Sequence, residues 1–488
     1  MVGFGAAAHH ICSGDFVDAL HARRVGWAML ALSAAAVVYL FATSPDGMRD
    51  AAGRPLGSDF FSFWSAGKLV LAGEPAGAYE SARLYTEHQR LLGVESPPFY
   101  PFLYPPAFLI FAAAFATMPY VAAWLAWMGT TLAAYFFATK GLFRSAIIER
   151  MSPHTPAARA ASPSPASGRG DRGEGRQRAD GGETSPADHF DQPSPPAPLP
   201  LAGEGSCLRC RPLPAESSAK AGESHLAALL ILAYPAVLLN FLHGQNGFLI
   251  AALFAGGLLA LDKRPLVAGV LLGIIALKPQ YGILIPIALA AGGHLRTFAA
   301  AAATVLVQVV AATTLFGPEI WAAFAESARA AKSQVLEPGA IGWEKIQSAF
   351  AFARTLGAPI GLAYVAQGLL ALAVTIFVFG LWRSGSSPAL KGAGLILGAV
   401  LATPYVVDYD LVLLAPAAAL LIVEALRDRF RPYEKSALAF AFLAPLLARP
   451  IGELILVPLG LAAALAMFAL VLARAERAGL GAVQAATA

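Results

Sequence analysis

Charge, cysteine and the motifs of soluble enzymes are all scarce in this chain, and each scarcity excludes something. Of 488 residues only 14% are charged, while 57% are hydrophobic. A soluble domain is about a quarter charged, so most of this chain cannot present a surface to water. Cysteines number three, Cys12, Cys207 and Cys210. That is too few for a disulfide-stapled scaffold. The last two form a lone CxxC without a second pair or histidines at ligand spacing, which argues against a zinc site. No P-loop, HExxH or GxSxG motif occurs, so soluble nucleotide and hydrolase chemistry lack support. The net charge of +4 sits mostly in short loops between apolar runs. It reports topology and implies no nucleic-acid partner.

What the chain has instead is apolar length, with a mean hydropathy of +0.60. Apolar segments fall near 26–43, 100–117, 119–139, 225–242, 247–262, 265–277, 280–292, 297–316, 359–382, 390–404, 409–425, 436–448 and 454–473. The longer ones match the thickness of a bilayer core, and the fold class is an all-α polytopic membrane protein. HARR at 21–24 precedes the first run and no clear cleavage site follows, so that run reads as a transmembrane helix and not as a removed signal peptide.

Basic loops order these segments. HARR, Lys140 with Arg144 and Arg150, Lys263-Arg264, His294 with Arg296, Trp382-Arg383, RDRFRPYEK (427–435) and RAER (474–477) are the positive clusters. All lie on the inner face only if 100–117 and 119–139 together make one crossing. The expectation is about 12 transmembrane helices with both termini inside, plus an interfacial or re-entrant helix near 100–117. Its Tyr104-Pro105-Pro106 start and Pro119 stop suit such a piece. Thirteen spans with one loop breaking the charge rule is the alternative. Three regions result: a membrane part over 1–150 with the outer loop 44–99, a low-complexity insert over 151–224, and a membrane part over 225–478 with the outer loop 317–358. Polar residues that are not simple charge anchors then gather on the outer side, where a site at the membrane surface needs them. No polar path crosses the middle and no inverted repeat is evident, which argues against a channel or transporter.

The insert is rich in Pro, Gly, Ser and Arg, and such a stretch cannot bury enough surface to offset its ordering entropy. Two of its pieces, PSPASGRG (163–170) and PLPLAGEG (198–205), are related through DNA. With GC-rich codons, the reverse complement of a sequence encoding PLAGEG encodes PSPAS in another frame. We read the insert as a translated palindromic repeat, in which Cys207, Cys210, Glu204 and Asp180 carry no function. Sequencing the coding DNA tests this, because without an inverted repeat there the idea ends.

Candidate chemistry begins in LGSDFFSFWSAGKLVLAGEP (56–75). Asp59 lies among Phe60, Phe61, Phe63 and Trp64. Partial desolvation raises a carboxylate's basicity, and a raised pKa suits a general base. The plain alternative is an aspartate that opens an interfacial helix, with the rings forming an interfacial belt. In HGQNG (243–247), Gln245 and Asn246 can hydrogen-bond hydroxyls while Gly244 and Gly247 allow close backbone approach; a polar helix–turn–helix junction is the alternative. Lys278 in LKPQY can pair with a phosphate as a point charge, or snorkel to the interface. Glu344 and Lys345 in GWEKIQSAF (342–350) can be a solvated pair. Asp408 and Asp410 in TPYVVDYD (403–410), beside Tyr405 and Tyr409, suit sugar hydroxyls or a divalent ion; one alone suits a helix cap.

Five blocks taken in order, SDFFSFWSAGKLVLAGEPAGAYE, YPPAFLIFAAAFATMPYVAAWLAW, LNFLHGQNGFLIAALFAGGLLALDKRPLVAGVLLGIIALKPQYGILIPIAL, GWEKIQSAF and TPYVVDYDLVLLAPA, resemble glycosyltransferase family 87. That family includes mannosyltransferases that use polyprenyl-phosphate mannose. The resemblance covers nearly all the chain apart from roughly the first 25 residues, the insert and the extreme C-terminus. It implies the GT-C architecture, with a catalytic acidic residue in the first outer loop, where Asp59 stands. On this pattern Asp59 deprotonates an acceptor hydroxyl, which attacks the anomeric carbon of a polyprenyl-phosphate hexose, in the first instance mannose. Lys278 and Lys345 are candidates to hold the leaving phosphate, where negative charge grows. His243, Gln245, Asn246 and Gln280 would line the pocket, with Asp408 or Asp410 as further ligands. The partners implied are that lipid donor, an envelope glycan or glycolipid acceptor, and the bilayer. No cofactor is certain, and a divalent cation is possible, since this architecture occurs with and without one. Loop charge and the likeness together imply a bacterial inner membrane with the site facing the periplasm. Transport or flipping of lipid-linked sugars and a non-catalytic membrane scaffold are the competing classes.

Overall fold

The computed structural model describes residues 12–150 and 214–487. Of the expected insert, residues 151–213, with Cys207 and Cys210, lie outside this range, and Pro214 opens a helix. Helices make up the described chain, whose only β pairing is two isolated bridges. In order they are α1 (Ala19–Ala42), α2 (Ser58–Leu71), α3 (Ser81–Leu92), α4 (Phe108–Ala116), α5 (Tyr120–Arg150) and α6 (Pro214–Ala233). Then come α7 (Pro235–His243), α8 (Gly247–Ala260), α9 (Pro265–Leu277), α10 (Pro279–Ala291), α11 (Leu295–Phe316) and α12 (Ile320–Ala331). The last are α13 (Ala349–Thr355), α14 (Ile360–Arg383), α15 (Pro388–Ala402), α16 (Leu414–Asp428), α17 (Glu434–Ile455) and α18 (Leu459–Thr487). A short 3-10 segment, Asp408–Leu413, leads into α16.

Seven helices are long and apolar enough to cross a membrane, and an eighth crossing results if Gly222–Ala233 and Pro235–His243, bent by 41°, count as one. The chain is a multi-pass membrane protein. Four further apolar helices, α8, α9, α10 and α15, have only 10–17 residues. At 1.5 Å per residue all four fall short of a hydrocarbon core of about 30 Å. Pro265, Pro279 and Pro388 sit at first helical positions, where the missing N–H costs nothing, and Pro279 separates α9 from α10. Around 100–117 the structure has only α4, of nine residues, followed after a break by the long α5. Exposed side chains on α1, α11 and α14 are large and apolar, among them Val38, Leu306, Leu369 and Ile376. Helices that leave such groups uncovered are built to face lipid.

Small residues draw the inner helices together. Gly269 and Gly273 of α9 lie against the backbone of α11, where a Cβ would come within 2.5 Å of the Thr297 carbonyl and 2.7 Å of the Ala301 carbonyl. This is the small-residue spacing that lets membrane helices approach closely. Gly67 does the same for α2 against α4, since its Cβ would meet the Ala112 carbonyl at 2.1 Å. That approach tells against the alternative of an interfacial aromatic belt. Phe60, Phe61, Phe63 and Trp64 are all buried inside the protein. Phe63 stands edge-on to Tyr104 and Phe108 at 4.9 Å, and Phe61 to Tyr120 at 5.6 Å. Edge-to-face contacts of this kind add to area burial, so the strip is anchored within the fold.

Candidate active site

The site is built on the start of α2. Gly57 precedes the helix in the left-handed conformation at φ 64° and ψ 55°, which favours glycine. It also has no room for more, because a Cβ there would lie 2.4 Å from the Trp124 indole nitrogen. Asp59 is in the first turn, where the helix dipole favours a negative charge. Its side chain does not cap the helix. One carboxylate oxygen, Oδ2, accepts a hydrogen bond from Gln245 Nε2 at 2.8 Å.

Gln245 is held in place by the turn that carries it. Helix α7 ends at Gly244, left-handed at φ 68°, and a Cβ at this glycine would collide with Phe60 Cβ at 2.5 Å. HGQNG therefore packs directly on the first turn of α2. The Asn240 amide, oriented to satisfy both neighbours, donates to the Gln245 carbonyl at 2.9 Å and accepts from the Gly247 N–H at 3.1 Å. The Gln245 side chain accepts from the Tyr104 hydroxyl at 2.8 Å, and its amide also reaches the Tyr409 hydroxyl at 3.3 Å. Asn246 is fully buried, and neither end of its side chain has a partner among the described residues.

Two carboxylate–cation pairs flank this centre. Lys278 Nζ lies 2.5 Å from Asp410 Oδ1, with side-chain exposures of 6% and 1%. The other Asp410 oxygen accepts the Val407 N–H at 3.2 Å. Asp408 is fully buried and takes the fork of Arg449, through Nε to Oδ2 and through Nη2 to Oδ1 at 3.0 Å. The same Nη2 lies 3.1 Å from His243 Nε2, while His243 Nδ1 lies 2.8 Å from the Leu239 carbonyl. A nitrogen facing a guanidinium must accept, which puts the ring proton on Nδ1.

The structure thus brings Asp59, His243, Gln245, Asn246, Lys278, Asp408 and Asp410 to one place. The loop 317–358 joins them through a bridge between Ile346 and Val407 and a hydrogen bond from Gln347 N–H to the Val406 carbonyl at 2.7 Å. Lys345 sits on that strip, half-buried and without an ion pair among the described residues; Gln280, half-buried in α10, has no hydrogen-bond partner among them. Arg449 was missed by the sequence reading. The available signal was a lone arginine after the apolar run 436–448, on the outer side by the charge rule and against that rule's bias.

Electrostatics set Asp59 apart. It keeps some access to solvent, yet protein surrounds it, and burial holds its carboxyl above the usual carboxylate range. The Gln245 hydrogen bond and the charge of Lys278 pull the other way without cancelling the shift, and Asp410 adds to it. Burial and the nearby Asp59 push the Tyr100 hydroxyl up to about 12. The neutral phenol beside Asp59 is therefore a donor at working pH. The donor set does not fit a divalent cation. Asp408 and Asp410 each serve a cation of their own, and no cluster of three His, Cys, Asp or Glu among the described residues converges on one point.

A carboxylate of raised basicity, beside amides suited to hydroxyls, can accept a proton from a hydroxyl in a multi-pass protein. The comparison with known families is more specific. Residues 207–404, about two fifths of the chain, match the model of glycosyltransferase family 87, and this match supports a transferase enzyme. The match includes His243, Gln245, Asn246, Lys278, Gln280 and Lys345, and it leaves Asp59, Asp408, Asp410 and Arg449 outside. No curated protein and no solved structure matches the chain.

Proposed function

We propose that the protein transfers a hexose, mannose in the first instance, from a polyprenyl-phosphate donor to an envelope glycan or glycolipid. The reaction takes place at the periplasmic face of a bacterial inner membrane. The single observation that carries this reading is the hydrogen bond from Gln245 to Asp59, which ties the family-matched segment to a carboxylate 186 residues away in the chain. The seven long helices and the bent pair support the many-helix membrane scaffold that a GT-C arrangement needs.

In this reading Asp59 takes the proton of the acceptor hydroxyl, within hydrogen-bond reach as a base must be. The oxygen attacks the anomeric carbon in line, the bond to phosphate breaks, and polyprenyl phosphate leaves. A β-linked donor gives an α-glycoside with inversion. Burial aids the step, because a carboxylate whose charge is poorly solvated gains more from accepting a proton. Gln245 keeps the receiving oxygen in place, and the unpartnered amide of Asn246 is suited to a sugar hydroxyl.

The test is mass spectrometry of envelope glycans and glycolipids from cells carrying Asp59→Asn, beside wild type and a null strain at matched protein levels. The expected result is that mutant and null agree, with one glycan shortened by a single sugar. A mutant profile identical to wild type while the null differs would overturn the reading and favour flipping or scaffolding.

A further inference from the structure

We infer that Arg449, and not Lys278, is the cation that receives the phosphate of the lipid donor; this rests on the transferase reading given above. Both residues stand close to Asp59 and each has a carboxylate partner. They differ in what remains free. Lys278 is 6% exposed and its ammonium is committed to Asp410, itself 1% exposed. An incoming phosphate would have to break that pair and leave Asp410 buried and alone, at a cost that removing one partner from a buried pair typically carries. Arg449 keeps 31% of its side chain exposed. Its Nε and Nη2 are taken by Asp408 and His243, whereas Nη1 has no partner among the described residues. A planar guanidinium with one edge anchored and the other open can take an anion without losing what holds it.

The surroundings fix that open edge. Arg449 is one residue before Pro450 in α17, a helix that also contains Pro445. Pro445 cannot donate to the Ala441 carbonyl, and the Tyr234 hydroxyl donates to it at 3.2 Å instead. Gly452 brings α17 against the strip bearing Lys345, since a Cβ there would lie 3.5 Å from Glu344 Cβ. Asp408 and His243 hold Nε and Nη2 of the fork. Arg449 and Asp59 are near enough for their charges to act on one another. One group thus lies beside the oxygen that loses a proton and the other beside the oxygens that gain charge as the lipid phosphate leaves. Lys278 is then a positioning residue, which holds Asp410 and through it the 403–410 segment.

The experiment uses the full-length protein in lipid nanodiscs and measures binding of a short-chain polyprenyl phosphate and of the corresponding polyprenol. Two variants are compared with wild type: Arg449→Lys, and the charge-neutral pair Asp408→Asn with Arg449→Gln, which leaves no buried carboxylate unpaired. Loss of a charge-assisted contact should weaken polyprenyl phosphate binding by roughly 10- to 100-fold in the pair, and less in Arg449→Lys, with polyprenol binding unchanged. Equal weakening of both lipids would mark Arg449 as structural, and unchanged binding of both would mark it as irrelevant; either overturns the inference. Asp59→Asn, run alongside, separates the two levels. It should keep polyprenyl phosphate binding and lose sugar transfer. If it still transfers sugar, the reading of the site fails whatever Arg449 does.

Discussion

Helix α17 carries two charged clusters about 22 Å apart along its axis, and they are built to different ends. At its first residue, Glu434 meets Arg474 of α18. Arg474 Nε and Nη2 reach the two Glu434 oxygens at 2.6 and 2.7 Å, Nη1 donates to the Glu424 carbonyl at 3.3 Å, and Nη2 to the Arg429 carbonyl at 3.0 Å. Both side chains are under 5% exposed. Fifteen residues on, Arg449 also faces a buried carboxylate, but one edge of it stays open, its neighbour Asp59 is held above its ordinary pKa, and Asn246 is unpartnered. A closed cluster rigidifies, and a half-satisfied one is costly unless something else completes it. The same chemistry thus separates a clamp from a site by what is left unsatisfied.

The comparison can be broken first at the site. Asp59→Asn should lower sugar transfer by roughly 10²- to 10⁴-fold, the usual worth of a general base, with no loss of stability. The sign of the second part follows from the raised pKa. Folding disfavours the charged form, so the protonated acid stabilises the fold at low pH and that stability is lost as pH rises through the folded pKa. Thermal unfolding at neutral pH should therefore show the variant equal to or above wild type, and the gap should close on acidification. A variant that unfolds earlier at neutral pH would put Asp59 among the structural carboxylates.

The clamp should behave in the opposite way. Arg474→Gln leaves Glu434 buried without a cation and should cost about 3–5 kcal/mol, read as a drop in unfolding temperature, while whatever folded protein remains keeps its preference for polyprenyl phosphate over polyprenol. Lys278 offers an intermediate case. Lys278→Met alone should destabilise by a similar ~3–5 kcal/mol, and adding Asp410→Leu should recover most of the loss; no recovery would mean that Lys278 acts on something other than its partner. The smallest effect is the finest test of the site. Gln245→Ala removes a hydrogen bond that favours the charged form of Asp59, so the pKa should climb. Because transfer needs the deprotonated form, the acid limb of the pH–rate profile should move to higher pH. A shift toward lower pH would contradict the assignment.

Much of this was legible in the sequence, because membrane helices announce themselves by length and charge bias. The blocks around Asp59, HGQNG, LKPQY, GWEKIQSAF and TPYVVDYD do meet, as their shared placement at helix ends implied. What could not be read was who pairs with whom. Lys278 and Asp410 are 132 residues apart, and nothing local says that a lysine at a helix break is spent on a carboxylate. Arg449 looked like a loop residue between two apolar runs, yet it lies inside α17 between Pro445 and Pro450. An interfacial belt stood as an alternative for the rings beside Asp59 because composition cannot tell lipid from protein as a greasy neighbour. Their burial depends on Gly67 and the backbone of α4.

The long reach of these contacts has a consequence for how the enzyme comes into being. Asp59 waits for Gln245, and His243 for Arg449, which emerges 206 residues later. During synthesis the early helices insert with an incomplete reaction centre, and the fork closes on Asp408 only when the penultimate helix arrives. A nascent or truncated chain thus lacks the completed cluster until α17 has been inserted.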